Sequence, residues 1–448
     1  MKIKAKKELR DPIHGFIPIY EHEFKIIQDP VFQRLRRVKQ LSFGYLVYHG
    51  AEHSRFGHVL GVMHLVEKAL DKILENSQKL DIPVEISDDD IRLARFSALL
   101  HDVGHHPFSH ALDNTDMIPK NHEQYSIALV ENHFSSTLDS AGIDPKDVTK
   151  LILGDPHPEK PFLSDLIHSQ VDMDRCDYLL RDSLYAGVKY GVYDLDRLLD
   201  SFFVTEDKRL VILNKGFFSA EQFVMARYHM FSQIYLHKTK RCFENLAKKA
   251  GEHLLEIGKF QYPDPKSLTS DKEIQDFISL DDAWLLKKIS EIEAPNMKNI
   301  IQSIKLRDPY SVALDSEIIA LKMLQKKKGE HDGSSYLLGI EEELDYDLKN
   351  TKNLKEIGID KEDIIFDEAK KLSYKLRPYS SPHSRDKEED PHTIYIYDEN
   401  SGSIDPIEDR SKLMRILGEP VKIRRTYVRR EKKENLMKYL IEKHPDLK

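Results

Sequence analysis

The chain has little cysteine and no long apolar run. Only Cys176 and Cys242 occur among 448 residues, too few for a disulfide framework, so both are expected as buried or free thiols in a reducing cytoplasm. Hydrophobic residues make up 40% of the chain but are spread among charged ones, and no stretch is apolar for long enough to cross a bilayer. The basic start, Met1 to Lys7, is not followed by an apolar signal region, which argues against export. A net charge of -8 argues against a surface that coats nucleic acid generally and leaves room for local basic pockets. No fixed-period repeat is visible.

What the chain does have is a concentration of histidine and aspartate. The tract His101-Asp102-Val103-Gly104-His105-His106-Pro107-Phe108-Ser109-His110-Ala111-Leu112-Asp113 follows the apolar run Phe96 to Leu100. Adjacent His101 and Asp102 offer one imidazole nitrogen and one carboxylate oxygen, a pair that suits a divalent cation of borderline hardness. They form half a coordination sphere. His58 and Asp174, each at or beside an amphipathic helix, are the candidates for the rest. Phosphate-ester hydrolysis needs an activated water, neutralised phosphoryl oxygens and a proton for the leaving group; a metal can serve the first two. An imidazole, titrating near pH ~6.5 when unperturbed, can serve the third. His105, His110 and His122 are the candidates, with Asp113 as orienter of one ring.

Helical patterns dominate the first two thirds. Val59, Val62, Met63, Val66, Leu70, Ile73 and Leu74 recur at helical spacing, which predicts an amphipathic helix with His58 in its first turn. Ser87 followed by three aspartates reads as an N-cap for a helix ending near His101, after which Pro107 bends the chain. Phe162 to Ile167 leads into a helix carrying Asp174. Ser219 to Ala250 reads as one long helical pattern. Arg209 to Leu213 alternates like a short strand, and 326–335 and 378–391 read as exposed loops. Thr393 to Tyr397 and Val421 to Val428 could pair as strands of a small α+β lobe. The expected fold class is therefore mainly α, a helical core with a smaller C-terminal α+β lobe. Its divisions are 1–50, with activator or oligomer contacts, 51–325, the core and its extension, and 326–448, the lobe.

Two basic clusters stand out: Arg34, Arg36, Arg37 and Lys39 before the core, and Lys422, Arg424, Arg425, Arg429, Arg430, Lys432 and Lys433 near the end. Each reads either as a solvated face or as a site for polyphosphate or a nucleic-acid strand.

The order His58, His101-Asp102, Asp174 is that of the HD phosphohydrolases. Blocks from Asp11-Pro12-Ile13-His14-Gly15 through Phe32 to Arg36, Lys39-Gln40-Leu41, His53 to His58, His101 to Asp113, His122-Glu123-Gln124 and Asp174 to Asp182 resemble the HD-domain deoxynucleoside triphosphate triphosphohydrolases. The resemblance runs from about Lys7 to Lys238. It implies an HD-domain helical core and cleavage of a dNTP at the α-phosphorus, releasing deoxynucleoside and triphosphate. It further implies His58, His101, Asp102 and Asp174 as ligands of a transition metal (iron, manganese, zinc or nickel), with magnesium arriving on the substrate triphosphate. His105, His110, Asp113 and His122 match catalytic positions. Arg55, Arg175 and Arg227, with Lys39, match cations that meet a triphosphate; Gln40 and Leu41 match positions beside the deoxyribose, and Tyr178, Asp182 and Tyr235 match positions that hold the sugar. Lys7, Gln28, Arg34, Lys215 and Lys238 match regulatory positions, which implies a nucleotide activator and a homotetramer.

Gln28 departs from relatives that carry aspartate there. A carboxylate accepts from both donors of a guanine edge, whereas an amide offers one acceptor and one donor group, so a less guanine-selective activator pocket is expected. Two alternatives stand beside the dNTPase. One is another HD-type nucleotide phosphohydrolase or phosphodiesterase, against which the missing Glu-Asp pair and Gly-Tyr-Pro block count. The other is an inactive regulatory or nucleic-acid-binding scaffold, which lost ligands would signal; none is lost.

Overall fold

The computed structural model describes residues 5–112, 117–260, 262–316, 344, 346–371, 393–418 and 421–447. Asp113 and the loops expected at 326–335 and 378–391 lie outside the described residues. The fold is mainly α, with three small sheets among the described residues. No described helix is long and apolar enough to cross a membrane. Two compact units are present, each assembled from separated stretches: Met1–Ile234 with Gln261–Leu286 and Leu372–Pro420, and Tyr235–Phe260 with Lys287–Lys371 and Val421–Lys448. Boundaries near 50 and 325 do not coincide with these units, because strand pairing joins segments far apart in the chain.

The first unit is organised by the helix Arg55–Leu80, which α1 denotes here; Val59, Val62, Met63, Val66, Leu70 and Ile73 are buried on it at the spacing the sequence shows. It starts directly after Ser54, so His58 sits in its first turn, and ends where Asp81 takes the left-handed conformation at φ 54°. Ser87 caps the next helix, Asp88–Leu100 (α2), accepting from the Asp90 backbone while the Asp90 carboxylate returns a bond to Ser87. The acidic first turn also complements the helix dipole. Asp172 caps helix Met173–Ala186 (α3), which Gly187 ends at φ 71°. α1 packs on both α2 and α3.

One buried charge cluster ties these elements together. Arg95 of α2 donates to both oxygens of Glu23 at 2.6 and 2.7 Å, to Glu67 of α1 at 2.6 Å and to the Pro18 carbonyl at 3.0 Å. Glu23 is 3% exposed, so its charge has no access to water in place of Arg95.

The structure corrects three readings. Tyr395–Tyr397 does not pair with Val421–Val428; it lies parallel to Leu210–Leu213 in a four-stranded sheet of the first unit, completed by Phe202–Val204 and Ile404–Pro406. Val421–Val428 is instead the central strand of the second unit's sheet, between Ser311–Asp315 and Ile364–Lys371. The alternation in both segments is genuine strand pattern, but it carries no information on which partner is chosen. The pattern from Ser219 to Ala250 is two helices, Phe217–Met230 and Lys238–Glu256, separated by a wider turn at Phe231–Tyr235. The C-terminal basic cluster is not a free cationic strip. Arg424 meets Glu368 at 3.4 Å, Arg425 meets Asp315 at 2.6 Å, Arg429 meets Asp363 at 3.1 Å and Arg430 meets Asp308 at 3.1 Å, all within the second unit.

Replacing Arg95 by methionine keeps the volume and strands Glu23 as an unpaired buried carboxylate. Breaking a buried pair in this way typically costs about 3–5 kcal/mol, so a clear fall in the thermal midpoint of Arg95→Met is expected by calorimetry, larger than that of Arg92→Met on the exposed side of the same helix.

Candidate metal and proton-transfer site

Three helices and one turn converge on a group of donors in the first unit. His58 comes from the first turn of α1, His101 from the residue that ends α2, and Asp174 from the first turn of α3. One ligand atom from each lies within 4.8 Å of the others. His58 Nδ1 donates to Asp177 at 2.8 Å and His101 Nδ1 donates to the Ala98 carbonyl at 2.7 Å. Each ring therefore carries its proton on Nδ1 and aims an Nε2 lone pair inward, the tautomer a metal-binding histidine needs. His58 Nε2 faces Asp174 Oδ1 at 2.9 Å, and His101 Nε2 faces the same oxygen at 3.6 Å. Asp102 adjoins the group, with Oδ1 3.6 Å from His101 Nε2 and Oδ2 3.9 Å from His58 Nε2.

Acceptors that face one another need a cation between them. Without a metal the cation is a proton: burial opposes charge on His58, but the hydrogen-bonding carboxylates Asp174 and Asp177 overcome it and push the imidazole up to about 10. Asp174 is held well below the usual carboxylate range by the two imidazoles, against burial. Both Nε2 atoms are buried and point at the Asp174 carboxylate. Two imidazole nitrogens with carboxylate oxygens are a donor set that fits a divalent transition metal.

A second histidine group also adjoins Asp102. His105 stacks on His122 with ring centroids 4.2 Å apart, and His110 lies edge-on to both at 4.8 and 5.3 Å. His122 Nε2 is 3.8 Å from Asp102 Oδ1. The approach depends on Gly104, where a Cβ would lie 2.2 Å from the Ser126 nitrogen; Gly104 N–H donates to Ser126 Oγ, which itself donates to the His101 carbonyl at 2.7 Å. Ser126 is one helical turn after His122, so the same contact sets both. Burial holds His105 well below its ordinary value and His122 down to about 3, the neighbouring imidazoles adding to it. His105 Nδ1 accepts from the His106 N–H at 3.0 Å, which leaves Nε2 as an N–H donor. His105 can therefore hydrogen-bond an anion but offers no lone pair to a metal. His110 is exposed.

The HD domain model matches residues 55–182 and the HD associated region matches 193–373. The chain belongs to the HD-domain phosphohydrolase family. Among its relatives, the uncharacterized protein YwfO of Bacillus subtilis is 38% identical over 256 residues, 55% of this chain and 56% of that one. A Dictyostelium discoideum protein named deoxynucleoside triphosphate triphosphohydrolase SAMHD1 homolog is 32% identical over 326 residues, 68% of this chain and 60% of its own length. The chain thus matches little more than half the length of these relatives. A solved phosphohydrolase from Bacteroides thetaiotaomicron is similar over 95% of this chain and 100% of its own, with a TM-score of 0.69 at 27% identity.

The remaining expected residues of the HD domain are variously placed. Arg55 pairs with Asp102 and donates to Ser109 Oγ at 2.8 Å. Arg175 pairs with Asp172, and Arg227 donates to Gln170 at 3.0 Å. Tyr178 lies beside His58, ring centroids 6.4 Å apart, and Asp182 meets His53 at 2.8 Å. Leu41 is buried, and the Gln40 side-chain carbonyl is buried without a partner. Tyr235 and Lys238 belong to the second unit. Lys7 lies over the Phe24 ring at 4.9 Å, Gln28 is exposed at the end of helix Glu21–Gln28, and Lys215 pairs with Asp200 at 2.9 Å.

Arg34 is corrected: it is 0% exposed, and its guanidinium donates to the carbonyls of His105, at 2.8 Å, and Leu280. It secures the histidine turn and has no face left for a regulator. Two further residues were missed. Asp282 accepts from the backbone N–H of Phe108 at 2.6 Å and of Lys39 at 2.9 Å, so it holds Phe108 and Ser109 in the left-handed region, at φ 54° and 53°. No local pattern flags an acid so far away in the chain. Asp177 orients His58, and its signal was legible, an aspartate three residues after Asp174 on the same helix face.

Asp177→Asn keeps the shape of the side chain and removes the charge behind the His58 Nδ1–H. Loss of such a supporting carboxylate typically weakens metal binding about 10–100-fold. Chelator competition with Mn(II) is expected to show that loss while the helical circular dichroism is unchanged.

Proposed function

We propose that the chain hydrolyses deoxynucleoside triphosphates to deoxynucleoside and triphosphate. The observation that carries this reading is that the Asp102 carboxylate adjoins two groups, reaching His58 and His101 of the donors that include Asp174 and, from the same oxygen that faces His101, His122 of the imidazole group with His105 and His110. The name of the Dictyostelium relative supports the substrate class.

In this reading His58, His101, Asp102 and Asp174 hold iron, manganese, zinc or nickel, with magnesium carried by the substrate; such ions supply Lewis-acid charge to the phosphoryl oxygens and make water more acidic. Water adds at the α-phosphorus, and the bond to the 5′ oxygen breaks. His110, the exposed imidazole of its group, gives that oxygen its proton. His105, neutral and protonated on Nε2, donates to a phosphate oxygen, and His122 packs against it. Asp113 is the expected orienter of one of these rings. Arg55, Arg175 and Arg227 neutralise the triphosphate by exchanging part of their carboxylate and amide contacts for phosphate oxygens. Gln40 and Leu41 pack against C2′ and leave no room for a hydroxyl, and Tyr178 and Asp182 hold the sugar. Lys7, Gln28, Lys215 and Lys238 serve a nucleotide activator in a homotetramer, with reduced guanine preference at Gln28. Two free buried thiols suit the cytoplasm.

Purified protein supplied with manganese and magnesium is expected to convert each dNTP to deoxynucleoside and triphosphate by chromatography, with a panel of nucleotides as activators. Pyrophosphate or a monophosphate as product defeats the reading, as does hydrolysis of ATP at the rate of dATP. His110→Ala is expected to keep the metal and lose about 10²-fold or more in turnover, the usual scale for a general acid; near-normal turnover moves that role to another imidazole.

A further inference from the structure

The N-terminal hairpin pairs Lys7–Asp11 with Gly15–Ile19 and, among the described residues, with no other strand. Two-stranded hairpins are marginal alone, so its position depends on what it touches. Ile17 and Ile19 bury one face. The turn is held by polar contacts. Asp11 Oδ1 accepts from the backbone N–H of Ile13 at 2.8 Å and of His14 at 3.0 Å, and Gly15 closes the turn at φ 76°. Asp11 Oδ2 accepts from Arg181 Nη1 at 2.8 Å. The ring of His14, its side chain 2% exposed, places Nε2 2.7 Å from Asp177 Oδ1.

Asp177 is thus held from several sides. Oδ1 meets His14 Nε2 and Arg181 Nη2 at 2.7 and 2.8 Å; Oδ2 meets His58 Nδ1 and Arg181 Nε, both at 2.8 Å. With its acceptor directions filled, this carboxylate cannot rotate without breaking a charge-assisted bond in a buried place. The helix beneath leaves it no slack: a Cβ at Gly61 would lie 1.9 Å from Asp177 Oδ1, and one at Gly57 would lie 3.3 Å from Arg181 Nη1.

We propose that the turn Asp11–Gly15 positions the metal ligand His58, with His14 as the contact and Asp177 as the relay. This rests on the reading of His58 as a metal ligand and is independent of which nucleotide is hydrolysed. The His14 donor holds the carboxylate in the plane that keeps the His58 proton on Nδ1 and its Nε2 lone pair inward. Docking of the hairpin and affinity for the metal are therefore linked, and each raises the other by the same factor.

The test loads the full chain with Co(II), reading the visible absorption bands and the affinity against a competing chelator. His14→Phe fills the space without a donor; His14→Gln returns an N–H near the Nε2 position. The expected result is at least a ten-fold loss of Co(II) affinity and altered bands in His14→Phe, within the about 10–100-fold range of such supporting contacts, with most of both recovered in His14→Gln. Wild-type affinity and bands in a folded His14→Phe overturn the proposal. If that variant does not fold, the wild-type protein decides. A ten-fold coupling requires the turn to undock ten-fold less often when loaded, so the Ile13 and His14 amides are expected to exchange hydrogen that much more slowly with Co(II) than without. Equal exchange overturns the proposal. Failure of the wild-type chain to bind Co(II) stoichiometrically overturns the metal reading and this inference with it, whereas tight binding indifferent to His14 removes only the inference.

Discussion

A lone pair on His58 and an oxygen of Asp174 are held 2.9 Å apart, nose to nose, in a buried place. Such an arrangement is repulsive unless positive charge lies between the two. Much of the first unit can be understood as what it takes to keep that contact from relaxing. Asp177 fixes the proton on the far side of the His58 ring, the Ala98 carbonyl does the same for His101, and Arg55 balances Asp102. Charge of one sign is matched locally by the other, which limits the cost of burying these groups.

The backbone serves this by coming unusually close to itself. Gly61 admits the Asp177 carboxylate against α1, and Gly104 admits the helix that carries His122. Arg34 and Asp282 then act at a distance in sequence, one binding the carbonyl of His105 and the other the N–H of Phe108, whose φ of 54° lies in the left-handed region. The imidazole group is therefore set by Gly104 within its own tract together with contacts from Arg34 near the start of the unit and from Leu280 and Asp282.

That explains what could be read from the residues alone. Helix period, the Ser87 cap and the placement of His58 in a first turn are local properties, and the structure has them as expected. The four ligand candidates were legible because residue type and order carry their chemistry, and they do converge. Arg34 was misassigned because an arginine that binds carbonyls and one that binds phosphate look alike in a string; only burial separates them. Asp282 gave no sign because its partners are backbone N–H groups, which every residue but proline has. Strand partners were missed for the same reason: Tyr395–Tyr397 reads as a strand anywhere, and its choice of Leu210–Leu213 is decided by Phe203, Val211 and Leu213, which offer an apolar cluster to Tyr395, Tyr397 and Ile404.

That choice also sets a schedule. A chain emerging from the ribosome has made every ligand candidate of the site by residue 174, yet the sheet beside α1 lacks two of its four strands until Ile404–Pro406 has been synthesised. During that interval the edge of Leu210–Leu213 and its apolar cluster have no partner from their own sheet, the kind of exposed strand edge that invites wrong pairing. Completion of the unit that holds the histidines and aspartates is thus a late event in synthesis, and a ribosome that stalls between residues 213 and 395 presents those histidines and aspartates on an incomplete scaffold.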